Sequence, residues 1–507
     1  MKRSGIFCLI AALALTLIAA PMTARSELEL ANIKIVTAGD KPLEQQMVFD
    51  KIEELTRDTL NIKLDVMYTP WSEYLEKHKM MAAAGDEFDI YLNFSFDILP
   101  AFTRKQAIRL NELIEEYGKD ILANISADDL KGGYAGQDLI AIPAVYMKDS
   151  VYNTGVVRKD LREKYGCPEI VDIDTLGQFL EAIYANEPDM VPIDGQGIGT
   201  FIAREFDLRH PEIKKDVLYG TGNARPVYWV EEGEDAYVVK SWYESKWVTE
   251  AIEVGARGFN NNWWPKDLNA GTVPKDLFLA GKAAFINIDL YHFTQLYNDL
   301  QKTIPEAELE WTIIGKDKPI KVDPSNNFAQ ICSTSKNPER AMMFLNWIQA
   351  SQENYDLWYW GIEGTHYTLD ENGTVMLPEG QTGGGTAATD NPYAPTPWWF
   401  KNTKWDRPVN TDARITVDCV AWNANAERWP LPKTNAFVID PTDLTMELTQ
   451  IDKIVDEQWN ALLNGQIQGE DAYNTFISQI YAAGLETVIA ETQIQLDAFL
   501  AENGIEK

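Results

Sequence analysis

Residues 33–92 carry the pattern that decides the fold. Short apolar runs occur at 33–36 (Ile-Lys-Ile-Val), 62–67 (Ile-Lys-Leu-Asp-Val-Met) and 89–92 (Asp-Ile-Tyr-Leu), each beginning about 28 residues after the previous one. The stretches between them place apolar residues at helical spacing. Strands that alternate with helices in this way form βαβ units, which build a parallel sheet covered by helices. The sequence therefore predicts an α/β chain with a doubly wound sheet, in which ligands bind beyond the carboxyl ends of the strands.

The rest of the chain continues the alternation and ends in helices. Strands are predicted within 136–143 and 151–157 and a helix at 175–183, capped by Asp174 or Thr175. Further helices are predicted at 160–166, from Asn337-Pro338, from Asp440-Pro441 to Gly465, at 470–483 and at 485–503. Residues 378–397 are rich in glycine and proline and predict an inserted loop.

Length, composition and charge restrict the class of protein. A chain of 507 residues suits two or three domains. Its 45% apolar residues, which include 16 tryptophans, are ample for well-packed cores. The 77 acidic residues outnumber the 45 lysines and arginines, which gives a net charge of −32. A surface that neutralises phosphates or anionic lipids needs the opposite balance, so nucleic acid and membrane surfaces are poor candidates as partners.

The N-terminus has the features of a secretory signal peptide. Lys2 and Arg3 precede an apolar run, Ile6–Ala20, and small residues follow at 22–24. The run is shorter than the roughly 20 residues that the alternative, a retained membrane anchor, requires. Cys8 lacks the sequence context of a lipid-modified cysteine. We therefore expect residues 1–24 to be removed and the mature protein to be periplasmic or extracellular, without a lipid anchor.

The titratable residues do not form a recognisable catalytic centre. No two of the four histidines stand at metal-ligand spacing: His78, His210, His292 and His366. Beyond the signal peptide, the three cysteines suit either one disulfide or three buried thiols: Cys167, Cys332 and Cys419. Motifs for a serine nucleophile or a phosphate loop are absent from the sequence. We predict no catalytic residue, no metal and no cofactor, although a glycosidase stays open because it needs only two carboxylates.

Several segments, in this order, give the chain a resemblance to a known family. They are the signal peptide with its βαβαβ unit, Gly136–Pro143, Val157–Leu161, Phe278–Phe285 and Asn337–Ala341. Together they resemble the extracellular solute-binding proteins (family 1 type) of ATP-driven ABC importers. The segment Tyr359–Tyr367 and the C-terminal tail are similar to the sugar-binding branch, whose members are often lipoproteins.

The resemblance implies a periplasmic-binding-protein-like fold with two lobes, each a doubly wound sheet flanked by helices, and a helical C-terminal region. We expect residues 33–143 and 330–365 in the N-terminal lobe, and residues 146–328 and 400–507 in the C-terminal lobe. The lobes would close on a small-molecule carbohydrate. The protein would be a monomer that delivers this ligand to transmembrane permease subunits. A secreted glycan-active hydrolase and a binding protein for a peptide or another solute are the alternatives.

A sugar site needs aromatic faces for the apolar side of a pyranose ring and polar groups for its hydroxyls. Candidates are therefore residues where aromatic and polar side chains alternate near strand ends: Trp71, Asn93, Phe94, Tyr146, Trp264, Asp289, Tyr291, Trp360, Glu363 and His366. For each aromatic residue, core packing is the alternative. Of the neighbours Trp263 and Trp264, we expect one to be buried and the other exposed. For His366, a structural role is favoured over donation to a ligand.

Overall fold

A computed structural model of the chain describes the fold over most of its length. The described residues are 28–145, 154–193, 200–214, 226–266, 274–288, 293–315, 327–378, 392–393, 400–407, 432–434, 437 and 439–507. Three predicted site residues, Tyr146, Asp289 and Tyr291, lie outside the described residues, as do the predicted signal peptide and most of the predicted insert.

Strands and helices alternate through the first two-thirds of the chain. The strands are β1 Ala31–Ala38, β2 Ile62–Thr69, β3 Ile90–Phe94, β4 Tyr134–Ala135, β5 Asp138–Leu139, β6 Ile142–Pro143, β7 Thr154–Arg158, β8 Val191–Ile193, β9 Ile213–Lys214, β10 Val227–Val230, β11 Lys240–Ser241, β12 Ala283–Ile288, β13 Leu309–Thr312, β14 Asn327–Ile331, β15 Thr368–Leu369 and β16 Val375–Met376.

The last part of the chain is helical. The helices are α1 Gln45–Thr56, α2 Trp71–Ala84, α3 Ser95–Thr103, α4 Asn111–Tyr117, α5 Lys119–Asn124, α6 Ala127–Leu130, α7 Lys159–Lys164, α8 Ile173–Asn186, α9 Thr200–Arg209, α10 Lys246–Asn260, α11 Pro274–Leu279, α12 Phe293–Thr303, α13 Pro338–Gln349, α14 Gln352–Tyr359, α15 Thr445–Leu463, α16 Glu470–Ala482 and α17 Leu485–Glu502. Within the described part of the chain, none of the helices has the length and apolarity needed to cross a membrane.

The first sheet has the order β2-β1-β3-β14-β6. Strand β1 lies between β2 and β3 and runs parallel to both, as the βαβ pattern of residues 33–92 predicts. Strand β14 returns from a distant part of the sequence and pairs antiparallel with both β3 and β6. Its apolar side chains and the helices α1, α4 and α13 share one buried core with the N-terminal strands.

The second sheet has the order β13-β7-β12-β8 and is built mainly from the middle of the chain. Strand β7 is antiparallel to β12 and β13, while β12 is parallel to β8. One face of this sheet shares a core with the three C-terminal helices, which contribute Leu448, Ile451 and Leu485 among others. The tail is therefore an integral part of the second core.

In chain order, β6 of the first sheet is followed by β7 of the second, and β13 of the second sheet is followed by β14 of the first. A later segment departs from the expected lobe boundary. Phe400 is buried in the core of the first sheet, and the Val145 backbone N–H donates to the Lys401 carbonyl oxygen (2.7 Å). Residues 400–407 thus pack with the first sheet, although the sequence placed them with the second lobe.

Helix ends follow the predicted signals with two corrections. The helix predicted from Asp440-Pro441 begins at Thr445, after a 3₁₀ turn at Thr442–Leu444. The cap of α8 is Asp172 rather than Asp174 or Thr175, because the Asp172 carboxylate accepts from the Thr175 backbone N–H (2.8 Å) in a capping box. Helix α13 begins at Pro338 after Asn337, as predicted, although the Asn337 side chain donates to the Asn32 carbonyl oxygen (3.3 Å). Cys167 and Cys332 are free thiols, and Cys419 lies outside the described residues.

His78 lies on α2 and is buried, with 1% of its surface exposed. Its ring lies between Tyr74 and Tyr91, at centroid distances of 4.9 and 5.1 Å. Its Nδ1 donates to the Tyr74 carbonyl oxygen (3.0 Å). Burial lowers the pKa of His78 to about 4, because the imidazolium form would lose its hydration, and the nearby Asp97 only partly opposes this shift.

This depressed pKa predicts a loss of stability in mild acid. In the unfolded chain His78 titrates near its ordinary pKa of 6.5, so between 6.5 and about 4 the unfolded state binds the extra proton. The free energy of unfolding should fall across that window by on the order of 3 kcal/mol. Urea denaturation at a series of pH values should show this fall in the free energy of unfolding in the wild type and not in His78→Gln. Parallel pH profiles for the two proteins would contradict the prediction.

Candidate functional site

The carboxyl ends of β1, β2 and β3 lie side by side at one edge of the first sheet. Ala38 pairs with Thr69, and the Gly39 backbone N–H donates to the Thr69 carbonyl oxygen (2.9 Å), so β1 and β2 end level with each other. Strand β3 ends at Phe94 on the other side of β1. In open α/β sheets this edge is where ligands bind.

Three partly exposed aromatic residues stand at this edge. Trp71 opens α2 directly after β2 and has 43% of its surface exposed. Phe94 and Phe96 are half-buried, and their rings stack with centroids 5.4 Å apart and planes at 9°. We call these three residues the aromatic edge. Since neighbouring strands are about 4.8 Å apart, the ends of β2 and β3 are separated by roughly 10 Å across β1.

Exposed polar residues border the aromatic edge. Asp40 and Lys41 follow β1, and Ser72 and Glu73 follow Trp71 at the start of α2. Neither Asp40 nor Lys41 was predicted as a site residue, because no aromatic residue adjoins them in the sequence. Their position immediately after the first strand was the signal that could have identified them.

Asn93 is fully buried, so its prediction as a ligand contact is wrong. Its side-chain amide donates to Gln330 Oε1 (2.8 Å) and to Asp97 Oδ2 (3.3 Å), and its Oδ1 accepts from the Phe94 backbone N–H (2.8 Å). Asp97 in turn pairs with Arg104 (3.0 Å) and Lys79 (3.4 Å). These polar groups form the support under the aromatic edge.

His366 holds the segment 361–367 against the start of α1. The ring is 1% exposed, its Nδ1 accepts from the Ile362 backbone N–H (2.9 Å), and its Nε2 lies 3.1 Å from Glu44 Oε2. Burial lowers the pKa of His366, and the Glu44 carboxylate opposes this shift. His366 therefore has the structural role favoured from the sequence, and its inclusion among the ligand contacts is corrected.

Trp360 and Glu363 belong to the same region but differ in exposure. Trp360 is 7% exposed and packs with Tyr367 and Val375 in a small apolar cluster. Its ring also meets Tyr359 edge-on, with centroids 4.7 Å apart. The prediction that Trp360 offers a face to a sugar is therefore wrong. Glu363 is exposed and remains a candidate contact.

Trp264 is a core residue of the second sheet's side. It is 1% exposed, and its Nε1 donates to the Asn464 carbonyl oxygen (3.2 Å) at the end of α15. A methyl group added at Gly258 would come within 2.2 Å of its ring, so one ring face is closely covered. Trp263 is also 1% exposed. The expectation that one of this pair faces solvent is wrong, and so is the prediction of Trp264 as a sugar platform.

Strands β7 and β12 of the second sheet have paired ends, and Asp289, outside the described residues, follows β12 directly in the sequence. Ile288, the last residue of β12, pairs with Thr154, the first residue of β7. Asn287 ties the same ends together, because its Nδ2 donates to the Thr154 carbonyl oxygen (2.9 Å). Asp289 and Tyr291 follow this point in the sequence and Tyr146 precedes it. They stay predictions.

The two sheets with their helices have the fold of the solute-binding proteins of ABC importers. Over 92% of this chain and 91% of its relative, the sequence is 22% identical to a protein of Streptococcus pneumoniae serotype 4 (strain ATCC BAA-334 / TIGR4) named carbohydrate ABC transporter substrate-binding protein. Residues 433–501 match a family described as a domain of unknown function, DUF3502.

Solved structures agree with this sequence similarity. The crystal structure of the N-glycan transport solute binding protein NgtS from Streptococcus pneumoniae superposes with a TM-score of 0.73 at 19% identity, over 93% of this chain and 99% of that one. The same protein in complex with Man5GlcNAc gives 0.63 at 19% identity, with the same coverage. The resemblance and the two-lobed fold class predicted from the sequence are confirmed. These relatives are binding proteins of transporters rather than enzymes.

Two glycines in the segment 361–367 test how closely it packs. Gly361 has φ +90° and an added Cβ would lie 2.7 Å from His366 Nδ1, whereas Gly364 has φ +80° and open space around it. Gly364→Ala should lower the free energy of unfolding only by the backbone strain, about 1–3 kcal/mol. Gly361→Ala should cost about 1–3 kcal/mol more, because the methyl group also displaces His366. Urea denaturation measures both, and equal costs would count against the packing described for His366.

Proposed function

We propose that the protein is the extracytoplasmic substrate-binding subunit of an ABC importer, with a carbohydrate, in particular an oligosaccharide, as its ligand. The observation that carries this proposal is the aromatic edge at the carboxyl ends of β1–β3. It occurs in a chain that is similar over nine-tenths of its length to a carbohydrate ABC transporter substrate-binding protein. A related binding protein of the same fold has been crystallised with Man5GlcNAc.

The aromatic edge has the chemistry that a pyranose requires. The Trp71 ring and the stacked Phe94 and Phe96 rings offer apolar surface to the C–H face of a sugar, which is favourable because that surface leaves water. Exposed polar residues beside them, Asp40 among them, are suited to bind hydroxyl groups. Glu363 and the three residues outside the described part, Tyr146, Asp289 and Tyr291, complete the proposed contacts.

Binding works without catalysis, by closure of two lobes. We expect the N-terminal lobe to comprise residues 33–143 and 330–365, together with 400–407, which pack against the first core. We expect the C-terminal lobe to comprise residues 146–328 and the C-terminal helices. A ligand held by both lobes stabilises the closed form, because only there are all its contacts made. The closed form then docks on the permease.

The protein acts as a monomer outside the cytoplasmic membrane, where the predicted signal peptide directs it. Its partners are the ligand and the transmembrane permease subunits. Cell fractionation with an antibody against the protein tests this location.

Saturable glycan binding without turnover is the expected outcome of a binding assay. Isothermal titration with a panel of oligosaccharides should identify at least one ligand, which mass spectrometry of the freshly purified protein should also detect if it co-purifies. Chromatography of incubated oligosaccharides should show no product. Absence of binding across a broad panel would refute the carbohydrate proposal, and product formation would favour the hydrolase instead.

Variants of the aromatic edge should weaken binding more than a core variant does. Trp71→Ala and Phe96→Ala each remove one apolar face and should cost about 1–2 kcal/mol of binding, or about 5- to 30-fold in Kd. Trp264→Phe is the matched control, since it alters a buried aromatic residue near the second sheet and should leave Kd within twofold. Unchanged affinity in both edge variants would rule out the aromatic edge as the sugar contact.

A further inference from the structure

Gln330 is a fully buried glutamine whose four hydrogen-bonding positions are all used. Its Oε1 accepts from the Tyr91 hydroxyl (2.9 Å) and from the Asn93 side-chain amide (2.8 Å). Its Nε2 donates to the carbonyl oxygens of Ile98 (3.2 Å) and Ile140 (3.0 Å). Two donors on one side and two acceptors on the other fix the orientation of the amide.

These four bonds join separate elements of the first sheet. Tyr91 and Asn93 lie on β3, Ile98 on α3, and Ile140 just before β6, while Gln330 itself is on β14. The chain leaves β6 for the second sheet and returns from it into β14. One side chain on β14 therefore connects β3 and α3, which carry Phe94 and Phe96, to the segment just before β6.

The bonds enclose the junction that carries the stacked phenylalanines. Helix α3 starts at Ser95, directly after β3 ends at Phe94, so no loop separates the strand from the helix. Asn93 is held by Gln330 before Phe94, and Ile98 is held by Gln330 after Phe96. Asn93 also accepts from the Phe94 backbone N–H (2.8 Å). The Asn93 side chain before the phenylalanine pair and the Ile98 carbonyl oxygen after it are thus both bonded to one amide.

We infer that Gln330 is a positioning residue for the ligand site, which sets the orientation of the stacked Phe94 and Phe96 rings and through them the affinity for a sugar. The inference rests on the proposed function for its ligand. Its physical basis is that an apolar residue at position 330 would leave buried donors and carbonyl oxygens without partners. The junction would then shift to find other partners.

The test compares Gln330→Met with Gln349→Met. Gln349 is also buried, on α13, and also uses both ends of its amide, since its Nε2 donates to the Phe400 carbonyl oxygen (3.1 Å) and its Oε1 accepts from Asn402 (2.9 Å). It does not bond to the phenylalanine junction. Gln330→Met should raise the Kd for the glycan at least 10-fold. Gln349→Met should leave that Kd within twofold of the wild-type value, although both variants should have a lower melting temperature. Equal losses in the two variants, or wild-type affinity in a folded Gln330→Met protein, would overturn the inference.

A double-mutant cycle separates positioning from a general loss of stability. In the Phe96→Ala background the stacked pair is already lost. Adding Gln330→Met should therefore raise the Kd for the glycan by less than threefold. Fully additive losses would overturn the inference. If Gln330→Met does not fold, Tyr91→Phe removes one donor to the same amide at nearly constant volume and should weaken binding two- to threefold, whereas unchanged affinity would overturn the inference.

A crystal structure of whichever variant folds, Gln330→Met or Tyr91→Phe, requires no ligand. It therefore tests the positioning role separately from the proposed function. The centroids of Phe94 and Phe96 should move out of the stacked arrangement in Gln330→Met, or in Tyr91→Phe if the first does not fold, and stay stacked in Gln349→Met. If the rings move while the wild type binds no glycan, the proposed function fails and the positioning role stands. If the rings stay in place, the positioning role fails whatever the protein binds.

Discussion

The parallel pairing of β1 with both β2 and β3 is the constraint on which the rest of the structure depends. Because the three strands run in the same direction, their carboxyl ends meet at one edge, and the residue after each strand is brought beside the others. This pairing brings Trp71, Phe94 and Phe96 to the same edge of the sheet. A strand running the opposite way would have placed them at opposite ends of the sheet.

A buried polar layer beneath this edge gives it a defined shape. Asn93, Asp97 and Gln330 are buried, and the hydrogen bonds and ion pairs described above connect them to one another and to cationic residues. Such a layer is costly if any member lacks a partner, so it favours one arrangement of the strand–helix junction. Apolar packing alone would define the junction less sharply, because it has little directional preference.

The sequence predicted the elements better than it predicted the site. The βαβ periodicity and the Asn337-Pro338 helix start identified strands and helices close to their observed bounds. Of the predicted site residues, Trp71, Phe94 and Glu363 are at least partly exposed, whereas Asn93, Trp264, Trp360 and His366 are buried. An aromatic residue beside polar ones has the same local sequence in either case.

The sequence by itself determined the α/β alternation and the helical tail, because periodicity and capping are properties of neighbouring residues. Only the tertiary structure decided which aromatic residues are exposed at the surface. Trp264 is buried because its indole meets the end of α15, and Asn93 because Gln330 comes to it from β14. Contacts between residues about 200 positions apart cannot be inferred from local pattern, and they decide which side chains remain at the surface.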